Sequence, residues 1–351
     1  MTNVMPLSAR VPAPETLPEL PADVGGTSLT WRPATRADLD GIHALVSAAG
    51  LVDHPQDLIE RDGIEAGFDA DPFDPRTDTV IGFAANGEPI AYAEARAADT
   101  AETEVEVSLD GVVHPGYRGL GIGRALLAWQ EARGRQLLAS SDSSLPAMLC
   151  VGSREECTAN LALYAAAGFA PVRWWLTLKR DLSAPIPDRA LPEGLSVVPF
   201  TDRLSEATRI AFNDAFRDHW GSQPVSRREW EKSTRLGEFS AELSRLIVTG
   251  AGDGKDPHRV VAFALTEINE GEWEPNGGPF GYLEGIGVIR ERRGQGLSSA
   301  VIAEALRGYR DRGLVSAILD VDSENPSGAL GMYERLGFRP TDRSVTYAKR
   351  F

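Results

Sequence analysis

A chain of 351 residues with 42% apolar content is long enough for two ordinary domains with real cores. Its net charge of -15 excludes a broad nucleic-acid footprint, which needs clustered lysine and arginine. No apolar run approaches the ~18 residues of a membrane helix, so no membrane partner is expected. Cys150 and Cys157 have no CxxC spacing, and the five histidines (His43, His54, His114, His219, His258) form no HExxH pair. Neither a disulfide framework nor a metal site is expected. The first residues lack a basic stretch followed by an apolar core, the mark of a secretory signal, so the expected location is cytoplasmic.

In chain order, residues 1–27 carry five prolines and end in Gly25-Gly26, which predicts an extended or disordered tail. A short strand and an amphipathic helix follow in "WRPATRADLDGIHALVSAA", where Leu39, Ile42, Leu45 and Val46 share one helical face. Strands are predicted over 78–84 and 89–96, joined by the turn "ANGEP", and over 105–113. Next come a glycine-rich loop, "YRGLGIGR", a long helix, a strand, a short helix ending in Gly-Phe and a last strand, "VRWWLTLKR". Three prolines in 181–194 predict a linker. The same order of signals then repeats, with strands over 244–249 and 259–268, "GYLEGIGVI" running into the loop "RRGQGLSS", and a closing "SVTYAKR". The chain therefore reads as a tail (1–27), a first domain (28–180), a linker (181–194) and a second domain (195–351).

Strand, glycine loop and helix together present backbone N–H groups to an anion. Neither loop fits the dinucleotide fingerprint, because Arg124 and Ser299 stand where its third glycine belongs, and neither has Gly-Lys-Ser/Thr. Both fit R-x-x-G-x-small after a valine: Val113 then Arg118, Gly119, Gly121 and Gly123, and Val288 then Arg293, Gly294, Gly296 and Ser298. On these residues the chain resembles the GNAT acetyltransferase superfamily in both halves. The tandem layout and length are similar to the mycothiol synthase group of double-domain acetyltransferases.

The resemblance implies two tandem α/β domains, each a mixed, mostly antiparallel sheet flanked by helices. It implies acetyl-CoA as co-substrate, its pyrophosphate held by Gly294, Gly296 and the amides around Gln295, Leu297 and Ser298, with charge from Arg292 or Arg293. Ile286 and Val288 would line the pantetheine arm. Val113, Arg118, Gly119, Gly121 and Gly123 would do the same work in the first half. An asparagine ahead of the Tyr-x-x-x-Gly-Phe segment contacts the arm in the family. Asn325 stands eight residues before Tyr333, whereas the first half has Cys157 near that place and Asn160 displaced.

Counting back from Val288 by twos puts Ile286, Glu284 and Tyr282 on one strand face. A carboxylate inside an apolar strand is costly unless used or paired, so Glu284 is the candidate general base or amine ligand. The same count from Val113 leaves Glu106 and Asp110 on the other face. By the family pattern Tyr333 is the acid for the leaving thiolate, with Tyr164 as its counterpart. His219 and Trp220, with Trp230, form an aromatic group either in the acceptor wall or capping the core. The expected enzyme is an N-acetyltransferase acting on a small-molecule amine, with catalysis in the second half and a degenerate first half. The alternative is a CoA-binding pseudoenzyme. No oligomer is indicated.

Overall fold

The computed structural model describes residues 5–69, 72–98, 101–250, 259–324 and 328–351. The chain divides into two compact units: Met1–Arg173 with Ser344–Phe351, and Trp174–Arg343. No described helix is long and apolar enough to cross a membrane.

The first unit contains α1 (Leu7–Arg10), β1 (Asp23–Val24), β2 (Thr27–Arg32), α2 (Leu39–Asp53), α3 (Arg61–Phe68), α4 (Pro75–Asp78), β3 (Thr79–Ala84), β4 (Pro89–Ala97), β5 (Val105–Val113), α5 (Ile122–Ala139), β6 (Ala147–Arg154) and α6 (Thr158–Ala166), and β7 (Ala170–Asp181) begins in it. Strands β1 to β5 pair antiparallel in sequence order, and β5 pairs parallel with β6. Residues Ser344–Arg350 add the next strand, antiparallel to β6. The α2 stripe read from the sequence buries Leu39, Ile42 and Leu45, while Val46 is partly buried beside them.

The prolines of the N-terminal tail do not leave it loose. Leu7 and Val11 are buried among Leu127, Leu138 and Leu149, and Leu7 N–H donates to Ser143 O at 2.8 Å. Leu17 and Leu20 pack with Val24 and Leu29. Apolar residues between the prolines anchor an extended path, each fully buried leucine contributing roughly 1.5–3 kcal/mol.

The second unit takes most of β7, then β8 (Leu195–Pro199), α7 (Asp202–Phe216), α8 (Arg227–Ser233), β9 (Arg245–Thr249), β10 (Val260–Glu267), β11 (Phe280–Val288), α9 (Leu297–Asp311), β12 (Ser316–Asp322), α10 (Ala329–Arg335) and the start of β13 (Arg339–Arg350). Strands β8 to β11 pair antiparallel, β11 pairs parallel with β12, and β12 pairs antiparallel with β7. Helices α7 and α9 cover opposite faces. Gly285 looks at Phe212 and Gly287 at Ala215 of α7, whereas Gly281 looks at Tyr309 of α9. Tyr309 and Phe263 are fully buried, and Tyr309 shares a 2.8 Å hydrogen bond with Thr266.

The division differs from the one read at the proline-rich linker. It falls inside β7, at Arg173/Trp174, and the last eight residues join the first unit. The cause is edge pairing: β7 finds its partner in β12, and residues 344–350 find theirs in β6. Composition marks a loop, but it does not say which neighbour an edge strand takes.

Candidate active site

In both units the parallel strand pair separates. Strands β11 and β12 are bonded only over Phe280–Tyr282 and Ser316–Ile318. Beyond Tyr282 the backbone of β11 has no ladder partner on that edge among the described residues. A cleft of about 900 Å³ opens there. Glu284, Ile286, Val288, Arg293, Gly294, Gly296, Leu297, Ser298, Tyr333 and His219 all line it. Gln295 and Trp220 are not among the lining residues, and Asn325 lies outside the described residues.

The loop geometry is that of an anion cradle. Gly294 and Gly296 both have φ +76°, where a side chain would be strained, and no atom lies within 4 Å of where a Cβ would sit. Gly296 caps α9 without a side-chain hydrogen bond, so the first amides of this 15-residue helix stay available. The first unit repeats this, with Gly119 at φ +77° and Gly121 at φ +87° capping α5. Gly123 has an ordinary helical φ and Ser298 replaces it without penalty.

The loop arginines differ from the expected role. Arg293 donates to Ala215 O (2.8 Å) and to Asp218 (3.2 Å), so it braces the loop against the end of α7. Arg118 does the same against α2, with two 2.7 Å bonds to Asp53 and one of 3.1 Å to Val113 O. The cleft also holds Arg292 and Arg335, and neither has an ion-pair partner among the described residues. The equivalent first-unit positions hold Tyr117 and Ala166.

Glu284 reaches the cleft by a route that strict alternation misses. Leu265 pairs with Gly285 but Thr266 pairs with Leu283, so Glu284 is the extra residue of a β-bulge. Tyr282 then sits on the α7 face with Gly285 and Gly287, while Ile286 and Leu283 face α9. The three residues counted by twos do not share a face. The bulge re-aims the one carboxylate toward the opening.

In the first unit β4 and β5 pair without a slip. Gly111 looks at Gln130 of α5, so Asp110 projects from the α2 side, opposite Glu94. Asp110 is thus on the face opposite Val113, as the alternation predicts, and that is the side of the sheet that Tyr282 takes in the second unit. Burial, then Glu94, pushes its carboxyl up to about 6.

Glu284 is open to the cleft and yet deep among protein atoms. Burial, then the charges of Asp320 and Glu238, raises its carboxyl above the ordinary range. Burial, then Glu284, pushes Glu267 up to about 7. Tyr282 donates to Asp320 at 3.1 Å. A carboxyl raised by burial and like charge inside a cleft is a common mark of a functional site.

Tyr333 is 7% exposed, and its hydroxyl has no hydrogen-bond partner among the described residues. Burial holds its phenol well above the ordinary value, so it stays protonated. Tyr164 instead donates to Gly152 O at 3.2 Å. At the other wall, His219 stands 5.9 Å from the Trp175 ring and Trp220 6.2 Å from it. Trp230 belongs to the core: it is 4% exposed and bonds Ser205 at 3.0 Å.

Sequence reasoning missed Trp175, Asp320 and Arg335 as cleft residues. Asp320 had a signal, a lone carboxylate in the apolar run "LVSAILDV". Trp175 had none, because it precedes the apparent domain boundary.

The Acetyltransferase (GNAT) family profile matches residues 206–338, and an Acetyltransferase (GNAT) domain profile matches residues 77–171. The chain is similar to a mycothiol acetyltransferase of Frankia alni, 33% identical over 342 residues, covering 91% of this chain and 94% of that one. A mycothiol acetyltransferase of Thermobispora bispora is 32% identical over 246 residues, 68% of this chain and 74% of its own. Among solved structures, a GCN5-related N-acetyltransferase from Sphaerobacter thermophilus has a TM-score of 0.65 at 25% identity, covering 92% and 95% of the two chains. A tandem GNAT protein from the clavulanic acid biosynthesis pathway shares the fold at a TM-score of 0.63 and 18% identity, covering 92% and 98%. With both halves matched and the Frankia alni relative covered nearly end to end, the chain belongs to the GNAT acetyltransferase family and carries two such domains in tandem.

Proposed function

We propose that the second unit transfers the acetyl group of acetyl-CoA directly to the primary amine of a small molecule. The observation that carries this reading is Glu284 at its bulge, facing across one cleft from the unengaged hydroxyl of Tyr333. Amides at the start of α9 and the side chains of Arg292 and Arg335 suit the phosphates. The unpaired edge of β11 suits the amides of an extended pantetheine arm, and a Val288 N–H can polarise the thioester oxygen.

The acceptor enters as an ammonium ion, which the carboxylates of Glu284, Asp320 and Glu238 favour. Glu284 takes one proton from it, directly or through a water. The freed nitrogen attacks the carbonyl carbon, the C–S bond breaks, and the Tyr333 hydroxyl gives its proton to the thiolate. The second nitrogen proton leaves as the amide forms and restores the phenol. No covalent enzyme intermediate is required when both substrates lie side by side.

The similarity to mycothiol acetyltransferases makes the free-amine form of mycothiol the first acceptor to test. The first unit keeps the loop geometry, but its Tyr164 is engaged and it lacks the two cleft arginines. This supports a structural rather than a catalytic part. The test is CoA release on a panel holding that amine, an aminoglycoside, a peptide N-terminus and a polyamine. Turnover on one panel member supports the reading, and tight CoA binding with no acetylated product on any overturns it.

A further inference from the structure

The cofactor loop and the acceptor wall of the second unit meet at one side chain. Asp218 accepts from Arg290 and from Arg293, the residues on either side of the loop's opening turn. Asp214, one turn earlier, accepts from the Arg290 backbone N–H at 2.8 Å. Asp218 directly precedes His219, which lines the cleft, and Trp220, which stands on Trp175. The first unit builds the same brace from different sequence, with Asp53 at the end of α2 holding Arg118 by both guanidinium nitrogens. Two appearances of one device in diverged copies argue that the loop needs it.

Resting on the acetyltransferase reading above, we propose that Asp218 is a positioning residue. It fixes the anion loop through Arg293 and Arg290 and registers that loop against the cleft wall at His219. The loop's backbone amides bind only if they converge. The φ +76° conformation of Gly294 and Gly296 is one that glycine leaves readily, so the amides need an outside strut.

The charge makes the test decisive. Removing Asp218 strips a negative charge from the border of an anion site and frees two arginines. Electrostatics alone therefore predicts tighter CoA binding for Asp218→Ala. A positioning role predicts the reverse: a Kd for CoA weaker by roughly three- to tenfold, with a similar rise in acceptor KM and kcat changed less than about threefold. Asp218→Glu, which keeps the charge and reach, should recover most of the affinity.

Calorimetric titration with CoA reads the loop without any acetylation. A chain that binds CoA but acetylates nothing still tests the strut while refuting the proposed reaction. CoA binding that is unchanged or tighter in Asp218→Ala overturns the proposal. Asp218 is exposed, so misfolding is not expected. Should Asp218→Ala nevertheless unfold, Arg290→Ala removes one arm of the brace, and CoA affinity equal to wild type would overturn the proposal by itself.

Discussion

Replacing Glu284 by glutamine keeps its size and removes its ability to take a proton. General-base catalysis is worth about 10²–10⁴ in rate, equivalent to about 3–5 kcal/mol of barrier. Glu284→Gln should lower kcat/KM for the amine by that factor and leave the Kd for CoA within about twofold. The pH profile is the sharper readout. Burial, then Asp320 and Glu238, raises the Glu284 carboxyl, so wild-type activity should climb with pH along a limb above the ordinary carboxylate range. That limb should vanish in the variant.

Stability should move the other way. A carboxyl whose native pKa is raised binds its proton more tightly in the folded chain than in the unfolded one. Its contribution is most favourable below the unfolded value and is lost as pH rises through the native one. Glu284→Gln should therefore be more stable than wild type at pH 8 and equal to it at pH 4, as read from urea unfolding at both values. Activity within threefold of wild type, or an acid limb that survives, would refute the base assignment. A stability gain independent of pH would refute the burial argument.

Further outcomes are specific to single residues. Tyr333→Phe should cut turnover about 10²–10⁴-fold while Tyr164→Phe changes it less than about twofold, and a larger loss from the Tyr164 change would place the chemistry in the first unit. Glu267, pushed up to about 7 from 4.5, should give about 1–2 kcal/mol of added stability at pH 8 on change to glutamine, allowing for its partial exposure, and none at pH 4. Denaturant midpoints at the two pH values check this. Gly287→Ala drives a methyl into the Phe263 ring and to within 2.8 Å of Ala215 Cβ. Overpacking of this kind costs about 1–3 kcal/mol, or about 3–10 °C in Tm, and an unchanged melt would show that α7 yields freely.

Much of this architecture was legible because it rests on local signals. Strand periodicity, the glycine pairs and the duplicated order gave the element sequence, the loops and the family. Glu284 was found by its cost, a carboxylate in the apolar run "GYLEGIGVI". Its face was not legible, since a bulge depends on the ladder with β10 and leaves no local mark. Arg293 read as a phosphate ligand because position alone cannot show a brace to Asp218. The tail read as extended or disordered, and five prolines could not say which, because the groove filled by its four spaced apolar residues is not visible in the sequence. Trp175 was invisible for a longer-range reason, its strand's choice of β12.

That choice of strand partners bears on inheritance. The first unit takes its last strand from the final residues of the chain, and the second takes Trp175 and its strand from before the proline-rich stretch. A gene cut at that stretch would leave each product short of a strand, and deletion of either repeat would maim the survivor. The integrity of each repeat therefore depends on a strand lying on the far side of the proline-rich stretch from the rest of it.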